Sequence, residues 1–148
     1  MPALNFPPIE ARFSKGTNGE PRIFDIVRKK FVDLTPEEWV RQHLIHFLVY
    51  HRQYPVALIG VEKQLKLNNT LKRTDVVVYN TALKPLLLVE CKAPAVALDQ
   101  AVVDQALRYN IPLQVPYVLL SNGLQHVCVT IQGQQVSFME TIPAYPEL

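Results

Sequence analysis

A run of apolar residues that ends abruptly in two charges constrains this chain more than any other feature of its sequence. Residues 86–89 are Leu, Leu, Leu and Val, which predict a buried strand, and Glu90 and Lys92 follow directly. Side chains alternate between the two faces of a strand, so Glu90 and Lys92 point the same way and Cys91 points oppositely. Charges at the end of a buried strand are costly unless each has a partner or a function. An ordinary ion pair between the two is the simplest explanation of this segment.

A second strand, predicted over residues 72–79, carries Asp75 near its start. The residues between the two strands have the composition of a turn, which favours an antiparallel hairpin. A hairpin that is symmetric about residues 82 and 83 places Asp75 opposite Glu90, with Cβ atoms about 5 Å apart. Two carboxylates at that distance repel each other unless a cation lies between them, and Mg²⁺ prefers such oxygen ligands. The hairpin therefore predicts a metal site with a lysine beside it.

These residues resemble the signature of the PD-(D/E)XK nuclease superfamily, an acidic residue on one strand and Glu-x-Lys on the next. The chain is more closely similar to the N-terminal nuclease domain of type I restriction enzyme R subunits, from about residue 24 to residue 122. Residues 35–42 resemble the opening helix of that family, and Gln105 and Tyr109 resemble its Gln-x-x-x-Tyr element. Thr74 stands where the superfamily signature has proline, and no segment resembles the helicase motor of full R subunits.

The resemblance implies a metal-dependent DNA endonuclease that is related to restriction. It implies that Mg²⁺ or Mn²⁺ is held by Asp75, Glu90 and the backbone carbonyl of Cys91. Lys92 would then orient or deprotonate the attacking water, or neutralise developing charge. DNA is the expected substrate, and other restriction-modification subunits are candidate partners. The alternative is a non-catalytic nucleic-acid-binding or interaction module that keeps the nuclease fold.

The segment around Glu38 predicts the start of a helix that runs to about Arg52. Thr35 is the expected N-cap, Pro36 occupies the first turn, and Glu38 falls where a capping box places an acidic residue. This local role is sufficient to explain Glu38. The resemblance gives it a second role, as an acidic residue near the metal, and both alternatives remain open.

The segment 94–110 has helical spacing, and Gln105 falls within its predicted apolar stripe. Tyr109 lies four residues further on, one turn along the same face. A core amide with satisfied hydrogen bonds is the plain explanation. The resemblance instead implies that Gln105 and Tyr109 face the site and help to place the Lys92 region or a substrate phosphate.

Two further groups of residues carry weaker signals. Residues 56–67 predict a strand on which Glu62 shares a polar face, and edge strands commonly present such a face without any function. Glu62 is therefore a lesser acidic candidate. His43 and His46 lack the HExxH pattern of a zinc site, which favours a packing role for both.

The order of predicted elements is helix, three strands, helix and further strands. It predicts an α/β (α+β) fold, with a mixed central sheet of about six strands flanked by helices and a right-handed parallel crossover through the second helix. This arrangement matches the restriction-endonuclease-like core that the resemblance implies. The length of 148 residues predicts a single nuclease-like domain, residues 1–148, whose proline-rich residues 1–21 form an extended segment.

The composition of the chain mainly excludes classes of protein and of partner. A net charge of +2 is too small to argue for nucleic-acid binding by itself. Two cysteines without framework spacing favour reduced thiols and a cytoplasmic location. No apolar run approaches the roughly 18 residues of a spanning helix, so no membrane association is expected. The sequence does not determine the oligomeric state.

Overall fold

The computed structural model describes all 148 residues, which contain a six-stranded central sheet and two α-helices. The strands of this sheet are β4 (Ile59–Val61), β7 (Val76–Tyr79), β8 (Pro85–Cys91), β9 (Tyr117–Ser121), β10 (His126–Gln132) and β11 (Gln135–Met139). Their order across the sheet is β11-β10-β9-β8-β7-β4. Strands β8 and β9 are parallel, whereas the other neighbours are antiparallel. The mixed sheet, its number of strands and the parallel crossover confirm the predicted architecture.

Five strands lie outside the central sheet. A three-stranded antiparallel sheet near the N-terminus contains β1 (Phe13–Lys15), β2 (Pro21–Asp25) and β3 (Lys30–Asp33). A separate hairpin contains β5 (Gln64–Leu67) and β6 (Thr70–Arg73). The single strands predicted over residues 56–67 and 72–79 were wrong, because each breaks into two and the hairpin between the breaks leaves the sheet. Glu62 makes one break by adopting a left-handed backbone with φ of 53°.

The two helices are α1 (Pro36–His51) and α2 (Gln100–Asn110), and short 3₁₀ segments cover Val56–Leu58, Ile111–Leu113 and Tyr145–Glu147. Helix α1 begins as predicted, with the Thr35 hydroxyl oxygen accepting the Glu38 backbone N–H at 3.0 Å. Helix α2 begins later than predicted because Asp99 caps it by accepting the Val102 N–H at 2.9 Å. The buried side chains of α2 are Val103, Ala106, Leu107 and Asn110.

The helices pack on opposite faces of the central sheet, and most of the core lies between them and the strands. Buried side chains of α1 pack with Val76, Val78, Leu87, Val89 and Leu119 on one face. Buried side chains of α2 pack with Val118, Leu120, Val129 and Ile131 on the other face. Burial of these apolar surfaces is the main favourable contribution to folding. The result is a mixed α+β fold that is consistent with a restriction-endonuclease-like core.

The register of the β7–β8 hairpin positions the candidate site. Val76 pairs with Val89, Val77 with Leu88, and Val78 with Leu87, which confirms the predicted symmetry about residues 82 and 83. The pattern shifts by one residue only beyond Val78, towards the turn. Asp75 and Glu90 therefore lie next to each other, immediately beyond the last pair of the ladder. Neither helix of the protein is long and apolar enough to span a bilayer.

Candidate functional site

Asp75 is fixed to the end of β8 by its own side chain. Its Oδ2 accepts a hydrogen bond from the Cys91 backbone N–H at 2.7 Å, whereas Oδ1 makes no hydrogen bond within the protein. Burial raises the pKa of Asp75, and the Cys91 hydrogen bond and the charges of Arg41 and Lys92 oppose this effect. Repulsion from Glu90 raises the pKa of Asp75 further. An additional cation close to Asp75 would favour its ionised form.

The pKa of Glu90 is shifted in the opposite direction to that of Asp75. Its Oε1 accepts hydrogen bonds from Lys72 Nζ at 2.9 Å and from Asn110 Nδ2 at 3.1 Å, and its Oε2 makes none. Burial acts to raise the pKa of Glu90, but the hydrogen bond and charge of Lys72 outweigh burial and lower it. The Lys72 ammonium also lies over the ring of Tyr109, 4.0 Å from its centroid. Glu90 is therefore held as a carboxylate with one oxygen committed and the other free.

Lys92 follows β8 directly and extends its pairing with β9. Its backbone N–H donates to the Ser121 carbonyl at 2.8 Å, while its ammonium makes no hydrogen bond within the protein. The charge of Lys92 acts on the carboxyl groups of Glu37, Asp75 and Glu90 and favours their ionised forms. The ammonium is thus close to several carboxylates without being committed to one of them.

The candidate residues line two separate cavities. The lysine cavity, of about 300 Å³, is lined by Lys72, Glu90, Lys92, Val96, Val102, Gln105, Ala106 and Tyr109. The arginine cavity, of about 570 Å³, is lined by Arg28, Val32, Asp33, Thr35, Glu37, Glu38, Arg41, Glu62, Arg73, Thr74 and Asp75. Asp75 and Glu90 are adjacent in the hairpin but open into different cavities.

Gln105 and Tyr109 line the lysine cavity together with Glu90 and Lys92. The apolar stripe predicted around Gln105 was wrong, because the buried face of α2 is displaced from it and both Gln105 and Tyr109 are exposed. A buried core amide is therefore not the explanation of Gln105. The polar edge of α2 instead faces the end of β8.

Glu38 performs its local role only in part. Its backbone N–H is capped by Thr35, but its carboxylate does not return the hydrogen bond that a capping box requires. The carboxylate instead accepts hydrogen bonds from Arg28, Arg41 and Gln42. Burial acts to raise the pKa of Glu38, but these bonds outweigh it and lower the pKa. Both oxygens of Glu38 are committed, which leaves none free for a metal ion.

Three residues in or beside these cavities were not among the site residues predicted from the sequence. Glu37 precedes Glu38 on the first turn of α1, and burial, followed by repulsion from Asp75, raises its pKa. Asn110 is buried at the end of α2 and contacts Glu90, and Lys72 is buried beside the same carboxylate. Asn110 continues the helical spacing of 103, 106 and 107, but only the packing of α2 identifies that stripe as the buried one. Nothing in the sequence distinguished Glu37 from Glu38 or Lys72 from its basic neighbours.

Asp75 and Glu90 offer donor types that suit a hard divalent cation, although their side chains line different cavities. No group of three His, Cys, Asp or Glu side chains converges as a complete metal cage. Mg²⁺, however, is usually bound through one or two carboxylates and completes its coordination with water and phosphate oxygens. Asp75 and Glu90 each keep one oxygen free of hydrogen bonds. Burial raises the pKa of the Cys91 thiol, so only the backbone carbonyl of Cys91 suits such an ion.

His43 and His46 take no part in this site. Both are buried on α1, and burial lowers the pKa of each imidazole. His43 Nδ1 contacts the Trp39 carbonyl at 2.9 Å, and its ring packs edge-on against the Trp39 indole. The predicted packing role agrees with this arrangement.

Comparison with known proteins gives one match. The family model described as "Type I restriction enzyme R protein N terminus (HSDR_N)" matches residues 36–143. No curated protein and no solved structure matches the chain. The matched region contains both helices, all six strands of the central sheet, and every residue of the lysine cavity. This protein therefore belongs to the family of type I restriction enzyme R protein N termini.

Proposed function

We propose that this protein is a metal-dependent endonuclease that hydrolyses phosphodiester bonds in DNA as part of a restriction-modification system. The observation that supports the proposal best is the 2.7 Å hydrogen bond that fixes Asp75 beside the Glu90–Lys92 strand end. The proposal includes membership of the PD-(D/E)XK superfamily, whose signature these residues match. It also includes a cytoplasmic location, which the two free, buried thiols of Cys91 and Cys128 support.

The metal in this proposal is Mg²⁺ or Mn²⁺, held by Asp75, Glu90 and the Cys91 carbonyl. When bound, such an ion lowers the pKa of a coordinated water and stabilises negative charge on the phosphate. Asp75 and Glu90 would hold the ion, and each keeps one carboxylate oxygen that accepts no hydrogen bond within the protein. Lys72 and Asn110 hold the other oxygen of Glu90, which orients the carboxylate before any ligand arrives.

Lys92 has the central chemical role among the residues of this chain. Its ammonium is uncommitted and lies near Asp75 and Glu90, where it can orient the attacking water or neutralise charge on the reacting phosphate. Glu37, whose pKa is raised by burial and by repulsion from Asp75, is the α1 carboxylate best suited to accept a proton nearby. Gln105 and Tyr109 present exposed polar groups to the lysine cavity, where they would contact a substrate phosphate.

Plasmid cleavage with Mg²⁺ or Mn²⁺, in the presence of the partner subunits, tests the proposal. Lys92→Ala should abolish cleavage yet leave metal binding by calorimetry nearly intact, because lysine is not a ligand. Asp75→Ala and Glu90→Ala should lose both DNA cleavage and metal binding, and the losses of cleavage should be far from additive. Lys84→Ala and Asp104→Ala remove exposed charges of the same types at other sites and should cleave normally. Undiminished cleavage by Glu90→Ala would contradict the mechanism.

A non-catalytic DNA-binding or interaction module is the second candidate function. The observation that favours it is that Lys72 already neutralises Glu90 and that two arginines neutralise Glu38, so these carboxylates need no added cation. Such a module should bind its partner without binding Mg²⁺. A parent protein that shows neither metal binding nor cleavage when all partners are supplied would establish this function instead.

A further inference from the structure

Glu62 is surrounded by three arginines at the rim of the arginine cavity. Its Oε1 lies 2.9 Å from Arg41 and 3.5 Å from Arg28, and its Oε2 lies 3.0 Å from Arg73. The side chain of Glu62 is nevertheless 40% exposed. A partly exposed carboxylate that meets three guanidinium groups occupies a position that suits any tetrahedral or planar oxyanion.

The inner two arginines do not need Glu62 for their neutralisation. Arg28 also pairs with Asp25 at 2.6 Å and with Glu38 at 2.8 Å, and Arg41 makes two hydrogen bonds to Glu38. The bonds from Arg41 to Glu38 are buried and those of Arg28 are partly buried, whereas the contacts of Glu62 with Arg28 and Arg73 are exposed. Losing Glu62 would therefore leave Arg28 and Arg41 paired and in place, with their outer N–H groups free to bind another anion.

Glu62 can leave the three arginines without a change in the fold. Its backbone is anchored, because its N–H donates to the Asp75 carbonyl at 3.1 Å. Only its exposed side chain has to rotate, and Arg73, whose side chain is 72% exposed, can rotate with it. The same backbone bond holds Glu62 next to Asp75, and the three arginines line the same cavity as Asp75. An anion bound there would lie beside the candidate site for hydrolysis.

The charges that line the arginine cavity determine how strongly the Glu62 carboxylate competes with another anion for the arginines. The cavity is lined by three arginines and by five carboxylates, which belong to Asp33, Glu37, Glu38, Glu62 and Asp75. The carboxylates outnumber the arginines with Glu62 counted and still outnumber them without it, so displacement of Glu62 makes the lining less negative by one charge. Bonds from Arg41, followed by the charges of Arg41 and Arg28 and a bond from Arg73, outweigh burial and keep the pKa of Glu62 low, so it is ionised at neutral pH.

We propose that Arg28, Arg41 and Arg73 form a phosphate-binding subsite for the backbone of the nucleic acid, and that the Glu62 carboxylate occupies this subsite until the nucleic acid displaces it. The subsite rests on the proposed function in taking DNA as the ligand. It adds a contact at one phosphate near the scissile position, and an internal competitor that lowers the affinity for DNA whose backbone has to displace it.

Binding of a fluorescent DNA duplex, measured by anisotropy in EDTA, tests the subsite without metal and without cleavage. Glu62→Gln should bind roughly three- to tenfold more tightly than the parent, because one competing charge is removed from the phosphate position. The slope of log affinity against log salt should steepen by about 0.9, the value for one added phosphate contact. Glu20→Gln is the matched control, since Glu20 also pairs with an arginine at the surface but lies outside the cavity.

A second pair of variants separates the subsite from a general charge effect. Adding Arg73→Gln to Glu62→Gln should return the affinity and the salt slope towards those of the parent. Adding Arg22→Gln to Glu20→Gln should change neither. Inorganic phosphate, compared with chloride at equal ionic strength, shows whether the subsite also takes free phosphate. If inorganic phosphate displaces DNA from Glu62→Gln but not from the parent, the subsite binds phosphate groups in general. If it displaces DNA from neither protein, the subsite binds phosphates of the polymer.

The results that would reject the phosphate subsite differ from those that would reject the proposed endonuclease activity. Unchanged DNA affinity in a folded Glu62→Gln protein, or an equal gain in Glu20→Gln, would reject the subsite even if the parent cleaves DNA with Mg²⁺. Tighter binding by Glu62→Gln in a protein that never cleaves would support the subsite and reject the nuclease. If Glu62→Gln does not fold, Arg73→Gln alone must weaken binding and flatten the salt slope, and no change in either would reject the subsite.

Discussion

At the scale of single residues, the candidate site holds two neighbouring carboxyl groups in opposite electrostatic states. Burial and repulsion from Glu90 raise the pKa of Asp75, whereas Lys72 and Asn110 overcome burial and lower the pKa of Glu90. Opposed pKa shifts on two adjacent acids are typical of sites that assign them different roles. The same contrast makes the two residues differ in what they contribute to stability.

The pH dependence of stability should distinguish Asp75 from Glu90. Asp75 has a raised folded pKa, so its contribution is present at low pH and is lost as pH rises through that pKa. Asp75→Asn should therefore be more stable than the parent at pH 7, with the difference vanishing in acid. Glu90 has a lowered folded pKa, so its contribution is lost as pH falls, and Glu90→Gln should cost about 2 kcal/mol at pH 7 because a buried ammonium loses its partner.

Urea unfolding in EDTA, at pH 7 and at pH 4, measures both differences. The two variants serve as controls for each other, because each removes one negative charge from the same strand end. Destabilisation of equal size at pH 7 in both variants would contradict the assigned environments.

The ion pair between Lys72 and Glu90 should also appear as coupling. Lys72→Met removes the ammonium of a side chain that is only 5% exposed and that contacts both Glu90 and the Tyr109 ring, while it preserves most of the apolar stem. Lys72→Met and Glu90→Gln should each destabilise the protein, and the double variant should cost about 1–3 kcal/mol less than their sum. Additive losses in thermal unfolding would show that the pair contributes nothing beyond its separate members.

At the scale of elements, the sequence was most informative where one pattern governed a whole strand. The apolar run of β8 and the turn before it determine the β7–β8 register, so Asp75 and Glu90 could be placed together without a structure. The break at Glu62 could not be predicted, because a left-handed backbone at a non-glycine residue depends on tertiary contacts. The sequence therefore joined β4 to β5 and β6 to β7, and did not predict that the β5–β6 hairpin leaves the central sheet.

The same limit applies to α2 and to the arginine cavity. Two apolar stripes with helical spacing overlap in the sequence of α2, and only packing against β9 and β10 selects the one that contains Val103 and Ala106. The pairing of Glu38 with Arg41 is local, three residues along α1, whereas its pairing with Arg28, which lies before α1, was not predictable. Residue types at the site could be predicted from motifs, but several of their partners come from distant segments.

Asn110 ties the end of α2 to the candidate site, and a charge at this position should break that link. Its Nδ2 donates to Glu90 at 3.1 Å and to the Ala106 carbonyl at 2.7 Å. Asn110→Asp replaces the donor with a carboxylate facing another carboxylate, and should cost about 2–3 kcal/mol at pH 7 and less in acid. Asn110→Ala removes the bonds without adding charge, so its cost should be smaller and nearly independent of pH. Circular dichroism melts at the two pH values give the comparison, and equal costs for both variants would contradict the contact.

At the scale of the whole molecule, the N-terminal sheet is joined to the matched region by buried polar contacts. Strands β1–β3 precede residue 36, where the family match begins. Asp25 at the end of β2 is fully buried and accepts hydrogen bonds from the Val27 and Arg28 backbones, the Arg28 side chain and Gln42 of α1. Trp39 of α1 in turn packs near Phe13 of β1 and donates to the Pro2 carbonyl at 2.9 Å. These contacts support the prediction that residues 1–148 are a single domain, and they make it testable.

Asp25→Ala should destabilise the entire domain and not only the small sheet. It removes the acceptor of four hydrogen bonds and leaves part of a largely buried guanidinium unpaired, which typically costs about 3–5 kcal/mol. Asp33→Ala, on the neighbouring β3, removes a mostly exposed partner of Arg22 and should cost less than about 1 kcal/mol. In urea, the fluorescence of Trp39, the only tryptophan, and far-ultraviolet circular dichroism should report one coincident transition for the parent and for both variants. A tryptophan transition that precedes the loss of helix, or an Asp25→Ala midpoint equal to that of the parent, would show that the N-terminal sheet folds separately from the central sheet.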